Sequence, residues 1–252
     1  VLPETVPEFA AAGFRRNGAK PGATSFYTGH MTDSLARARM IDLTLLAPTA
    51  DAAGIEALCA QAARYGFATV CVNPRWVARA AALLADAAPG VCTVVGFPLG
   101  ASTTAVKVFE AEDALTAGAS EIDVVIDLAA VRARDTDALQ SQLGALVRAV
   151  HPRGILKVII ETCLLTPEEI RFASAQVMAA GADFVKTSTG FSTGGATVEA
   201  VRQIRSEVGP DMGIKAAGGI HTAEQMDALV AAGATRIGAS DGVALLWGAA
   251  PV

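Results

Sequence analysis

The chain has 252 residues, 52% of them apolar, with 20 basic and 25 acidic side chains and a formal net charge of −5. That length can bury a full core in one large domain; no apolar run approaches the roughly 18 residues of a membrane span, and no basic stripe offers itself to nucleic acid. Four widely spaced cysteines, Cys59, Cys71, Cys92 and Cys163, do not make the short paired spacings of a zinc site and read as free thiols of a reducing, cytoplasmic compartment.

Residues 1–30 mix Gly, Pro and charges without apolar periodicity, so they are expected to be a disordered or tag-like extension outside the fold. They contain no continuous apolar segment after a basic start, as a secretory signal would. Gly29-His30-Met31 fits either a cloning junction with Met31 as the native start or a natural extension. From Met31 onward one unit recurs: a short β-branched run, a turn, then a helical stretch rich in Ala, Leu and charges. Strands are expected to begin near Ile41, Thr69, Cys92, Ile122, Leu156, Phe184, Ile214 and Arg236. Eight such units at a spacing of roughly thirty residues predict a single (β/α)8 TIM barrel over residues 31–252, with a doubly wound open sheet as the alternative. Helix starts are signalled at Thr166-Pro167-Glu168-Glu169 and at Thr222-Ala-Glu-Gln225, each with a capping residue and an acid or amide three positions on.

In a barrel the functional side chains gather at the C-terminal ends of the strands. Taken in order, those ends carry Asp42 and Thr44, then Cys71 and Asn73, then Asp123 and Asp127 two-period aligned, then Lys157 aligned with Glu161, then Lys186, then Lys215. Cross-strand ion pairs account for any one of them; polar ends on five strands together predict one charged cavity. A lysine in mid-strand either snorkels to solvent or sits where burial favours its neutral, nucleophilic form. The pairing of Lys186 with Lys215 favours the second reading, because two ammonium groups share a small cavity only at a cost. After the late strands come Thr189-Gly190, Gly218-Gly219 and Gly238-Ala239-Ser240. Glycines at three successive strand ends, each before a helix, predict a pocket for a phosphorylated ligand.

Eight motifs in order now identify a resemblance: Asp42-Leu-Thr-Leu-Leu46, Val70-Cys-Val-Asn-Pro74, Gly96-Phe-Pro98, Glu121-Ile-Asp-Val-Val-Ile126, Leu156-Lys-Val-Ile-Ile-Glu161, Phe184-Val-Lys-Thr-Ser-Thr-Gly190, Gly213-Ile-Lys-Ala-Ala-Gly-Gly219 and Ile237-Gly-Ala-Ser240. From Ile41 to Leu246 the chain resembles the deoxyribose-phosphate aldolases, class I Schiff-base enzymes on a (β/α)8 barrel. The resemblance implies that Lys186 forms the imine, that Lys215 is its electrostatic partner, and that Asp123 transfers the proton. It gives Asp42 and Lys157 a supporting role and brings Thr44 to the substrate hydroxyls. It implies small sugar phosphate and aldehyde substrates and no metal or organic cofactor. The apolar helix faces leave room for a homodimer.

The chain departs from the family near the expected phosphate. Phe191 stands where some relatives have a lysine, His221 where an arginine is common, and Asp241 where a serine is usual. Asp241 either faces the pocket and relaxes the preference for phosphorylated aldehydes, or turns outward and caps the last helix. Cys71 either meets the cavity, where an unsaturated aldehyde would alkylate it, or is buried and inert. Some relatives also carry a tail ending in tyrosine, whereas this chain ends at Trp247-Gly-Ala-Ala-Pro-Val252, so the role of that tail is expected to be absent or supplied otherwise. Two rival functions stand beside the aldolase: a sugar-phosphate isomerase, which needs a Glu or His base, and a barrel that binds sugar phosphates without turnover.

Overall fold

The structure is a computed structural model that describes residues 34–246; the expected extension over 1–30 and the segment from Trp247 to Val252 lie outside those residues. Eight strands close on themselves in sequence order: β1 Ile41–Leu45, β2 Thr69–Val72, β3 Gly90–Val95, β4 Glu121–Val125, β5 Ile155–Ile159, β6 Phe184–Lys186, β7 Gly213–Ala217 and β8 Arg236–Ala239. All pairings are parallel, and β1 meets β8 with Asp42 opposite Gly238, which rules out the open-sheet alternative. Four strands start one or two residues before the expected points, for example at Gly90 rather than Cys92. A strand begins where backbone pairing begins, and the Gly90 N–H already donates to the Ala68 carbonyl at 2.9 Å.

The helices that cross between strands are α1 Ala52–Tyr65, α2 Val77–Leu83, α3 Thr104–Thr116, α4 Leu128–Ala133, α5 Thr136–Val150, α6 Pro167–Ala179, α7 Val198–Val208 and α8 Ala223–Ala231. Both expected helix starts are formed, and each is a capping box, Thr166 with Glu169 at α6 and Thr222 with Gln225 at α8. In each, the hydroxyl satisfies one free backbone N–H and the side chain three residues on satisfies another, so the helix start is fixed locally. Asp127 corrects an expectation: it lies past the end of β4, and its side chain accepts from the Ala130 N–H as the N-cap of α4. The two-residue period that aligned it with Asp123 stops where the strand stops.

The main core lies between sheet and helices, where outward strand residues such as Leu43, Ile122, Val124 and Val158 meet Ile55, Leu139, Leu143 and Leu146. A second, small cluster of Leu46, Cys71, Cys92 and Val94, with Phe97 against it, forms separately. Buried outside both is Lys107 of α3, whose ammonium donates to the Val125 carbonyl at 2.8 Å and to Gln142 Oε1 at 3.0 Å. Burial pushes this lysine down to about 8, against the pull of Asp127 and Glu110.

Candidate active site

Parallel register decides which inward side chains meet. Lys186 of β6 stands directly opposite Lys215 of β7, and Asp123 of β4 opposite Lys157 of β5. Like charges in register repel unless something lies between them. Here Asp123 Oδ2 does, at 2.8 Å from Lys186 Nζ and 2.7 Å from Lys215 Nζ. Its other oxygen is 2.8 Å from Lys157 Nζ. Asp42 on β1 closes the ring, 2.6 Å from Lys215, 3.7 Å from Lys157 and 2.7 Å from Arg236. Glu121 completes it, 2.6 Å from Lys157 and 3.0 Å from Arg236.

Three carboxylates thus face four cations inside the barrel. Burial alone would raise Asp123 and Asp42, but the surrounding lysines, joined at Asp42 by Arg236, outweigh it and hold both below the usual carboxylate range. Burial likewise opposes charge on Lys157 and Lys215, yet the carboxylates around each keep them above the ordinary lysine value. The set is one positive charge in excess, and a low-dielectric interior penalises that excess. Lys186 has the fewest carboxylate contacts of the three lysines and, at 3% exposure, is the one that reaches the cavity.

That cavity is about 290 Å³ and opens over the C-terminal ends of β6, β7, β8 and β1. Among the described residues, Lys186 is the one charged side chain on its wall. Thr44 lines it, its hydroxyl donating to the Asp42 carbonyl at 3.0 Å. Gly190, Gly218, Gly219, Gly238 and Ser240 line it as well, so the sequence's phosphate candidates and its nucleophile candidate share one space. Close backbone packing makes this wall: Gly190 and Gly218 have φ of 82° and 88°, and a Cβ on Gly195 would fall 2.2 Å from the Gly218 carbonyl oxygen. The positive φ favours glycine, and at Gly195 no side chain fits at all.

Several expected neighbours are placed differently. Cys71 is fully buried and off the cavity wall, in the small cluster with Cys92, which stands beside it in register. A hydrogen bond from Cys92 lowers the Cys71 thiol, while burial and that same bond raise Cys92. Cys92 Sγ in turn lies 3.2 Å from Asp123 Oδ1 and 3.3 Å from Lys157 Nζ. Asp241 is exposed and accepts from the Ala244 N–H at 3.1 Å, which is the outward capping role. Glu161 is not on a strand beside Lys157. It follows β5 with φ of 52°, a left-handed conformation that costs a non-glycine residue on the order of 1–3 kcal/mol, and its carboxylate is buried against Thr189. Neither described histidine lines the cavity: His151 pairs with Asp183 at 2.8 Å, and His221 is exposed, its N–H bound to Gln225.

Sequence reasoning missed Arg236 and Glu121 as members of the charged ring. The signal was present in the two-residue period, since Arg236 shares a strand face with Gly238 and Glu121 with Asp123. Two groups of donors, Cys71, Cys92 and Asp123, and Asp42, Cys92 and Glu121, lie within metal-binding distance of one another. Their carboxylates are already engaged by Lys157, Lys215 and Arg236, so a cation there would first have to displace an ammonium or guanidinium group.

Three comparisons bear on this site. The family model described as DeoC/LacD family aldolase matches residues 37–248. Proteins named deoxyribose-phosphate aldolase from Lysinibacillus sphaericus and Bacillus subtilis are 53% and 52% identical over 211 residues, covering 84% of this chain and 95% of each relative. Among solved structures, a deoxyribose phosphate aldolase from Aeropyrum pernix, described as tetrameric, superposes with a TM-score of 0.79 at 33% identity, over 90% of this chain and 97% of its own.

Proposed function

The chain belongs to the DeoC/LacD family of aldolases, and from that premise we propose that it is a class I lyase cleaving 2-deoxyribose 5-phosphate reversibly to glyceraldehyde 3-phosphate and acetaldehyde. One observation carries the reading: a lysine at a strand end reaches both the cavity and, at 2.8 Å, a carboxylate it shares with a second lysine. An isomerase would need a Glu or His base on the cavity wall, and among the described residues Lys186 is the one ionisable side chain there. A barrel that only binds sugar phosphates would not need both lysines and Asp123 kept in contact.

The neutral amine of Lys186 adds to the C1 aldehyde, and uptake of one proton from solvent with loss of water leaves a protonated imine. As the C2–C3 bond breaks, its electron pair flows into the iminium to give an enamine. The proton of the C3 hydroxyl passes through one water to Asp123, which is held as a carboxylate and is itself buried behind the wall. Glyceraldehyde 3-phosphate leaves; protonation of the enamine at C2 and hydrolysis then release acetaldehyde and restore Lys186. Lys215 favours the neutral form of Lys186 before attack and offsets negative charge on Asp123 afterwards. Asp42 and Lys157 hold this ring in place, and Thr44 meets the substrate hydroxyls. The phosphate rests against Gly190, Gly218, Gly219, Gly238 and Ser240, bound by backbone N–H groups, because the described residues of the wall carry no cation besides Lys186.

A cytoplasmic location is part of the same reading, supported by four free thiols and by the absence of any helix among the described residues long and apolar enough to cross a membrane. Self-association, as a homodimer or larger, is supported by exposed Leu99, Val106 and Phe109 and is read by light scattering. Borohydride reduction in the presence of acetaldehyde tests the function directly. Intact mass should show one ethyl group, peptide mapping should place it on Lys186, and Lys186→Ala should lose adduct and cleavage together. An adduct on Lys215, or cleavage that survives without Lys186, would overturn the assignment.

A further inference from the structure

Glu161 is the buried acid that the charged ring does not use. It is 2% exposed, sits in a left-handed turn with φ of 52°, and no ion pair among the described residues includes it. Apart from the Cys163 thiol, which donates to Oε1 at 3.8 Å, its carboxylate partners lie in one place, the loop between β6 and α7. Both carboxylate oxygens accept from the Thr189 N–H, at 3.3 and 3.4 Å, and Oε2 also accepts from the Thr189 hydroxyl. That hydroxyl oxygen accepts in turn from the Phe191 N–H at 3.0 Å.

The N–H groups on either side of Gly190 are therefore both tied back, one to Glu161 and one through Thr189. The N–H of Gly190 finds no hydrogen-bond partner among the described residues, and Gly190 lines the cavity with φ of 82°. A strained backbone and a buried acid without a cation persist only where surrounding structure requires them, and here the requirement is the shape of that turn. The geometry points to Glu161 as a positioning residue: its carboxylate clamps Thr189 so that the Gly190 N–H is presented to the phosphate of the substrate. This rests on reading the glycine-rich wall as the phosphate subsite of an aldolase.

Glu161 does not touch the reacting carbons, so its loss divides the kinetics by substrate. Glu161→Ala should raise KM for 2-deoxyribose 5-phosphate at least tenfold. KM for unphosphorylated deoxyribose, kcat at saturation and borohydride trapping of acetaldehyde on Lys186 should change less than twofold. Glu161→Gln keeps the acceptor oxygen for the Thr189 N–H and should recover part of the loss. Thr189→Val, which keeps the β-branched shape and deletes the hydroxyl, should reproduce the rise for the phosphorylated sugar even if Glu161→Ala fails to fold. Adding it to Glu161→Gln should give less than the product of the two effects. Equal KM changes for both sugars, a change confined to kcat, or no change at all would each overturn the clamp. Failure to trap an adduct on Lys186 of the parent protein would instead overturn the aldolase reading beneath it.

Discussion

Replacing Lys215 by methionine isolates the charge argument for the lysine pair. In the parent, Asp123 Oδ2 lies 2.8 Å from one nitrogen and 2.7 Å from the other, so the two nitrogens are separated by at most 5.5 Å, the sum of the bonds. At about 5 Å and an effective dielectric near 20, two ammonium groups repel by about 3 kcal/mol, equivalent to roughly two pH units. Without Lys215, Asp42 keeps Arg236 at 2.7 Å and Asp123 keeps Lys157 at 2.8 Å, so the ring persists with three carboxylates against three cations. The variant's ring is balanced, where the parent's carries one positive charge in excess and sets a second ammonium beside Lys186. The acid limb of kcat/KM for deoxyribose 5-phosphate should therefore move up by roughly two pH units, leaving about a hundredfold less activity near neutrality and a nearly parental alkaline plateau. Borohydride trapping measured over the same pH range should move with it. A limb at the parental pH above a uniformly lower plateau would refute the reasoning and show that Lys215 acts by contact with substrate or by holding Asp42.

Three further predictions follow from side chains around the site. Lys157→Met strips Glu121 and Asp123 of a common partner at 2.6 and 2.8 Å, and urea unfolding should show a loss of about 3–5 kcal/mol, as when one member of a buried pair is removed. Lys107 is held near 8 against an ordinary 10.5, so the unfolded chain binds its proton more tightly; the resulting penalty of roughly 3 kcal/mol is fully present below pH 8 and disappears as pH rises to about 10.5. Unfolding of the parent and of Lys107→Met at about pH 7 and about pH 10 should accordingly show the parent gaining on the variant at the higher pH, and a constant difference would contradict the shift. Asp241→Ser keeps a capping oxygen for the Ala244 N–H and removes a charge that points away from the cavity, so KM for deoxyribose 5-phosphate should stay within about twofold; a tenfold drop would place the carboxylate in the pocket.

The sequence by itself determined the barrel and its chemical inventory. Eight repeats of strand and helix left few closed arrangements for a parallel sheet, and polar residues at five strand ends had to be satisfied in one interior. Both lysines, Asp123, Asp42, Lys157, Thr44 and the glycine runs were legible because a strand's two-residue period assigns each side chain to a face without reference to anything distant. What that period cannot give is the register between strands or the point where a strand ends. Register set Lys186 opposite Lys215 with Asp123 between them, brought Arg236 and Glu121 into the ring, and stacked Cys71 on Cys92 away from the cavity. Strand ends turned Asp127 into a helix cap and sent Glu161 to the loop around Gly190. Those outcomes depend on which backbone groups pair across a closed sheet, a condition met only when all eight strands are in place, and so the tertiary structure alone decided them.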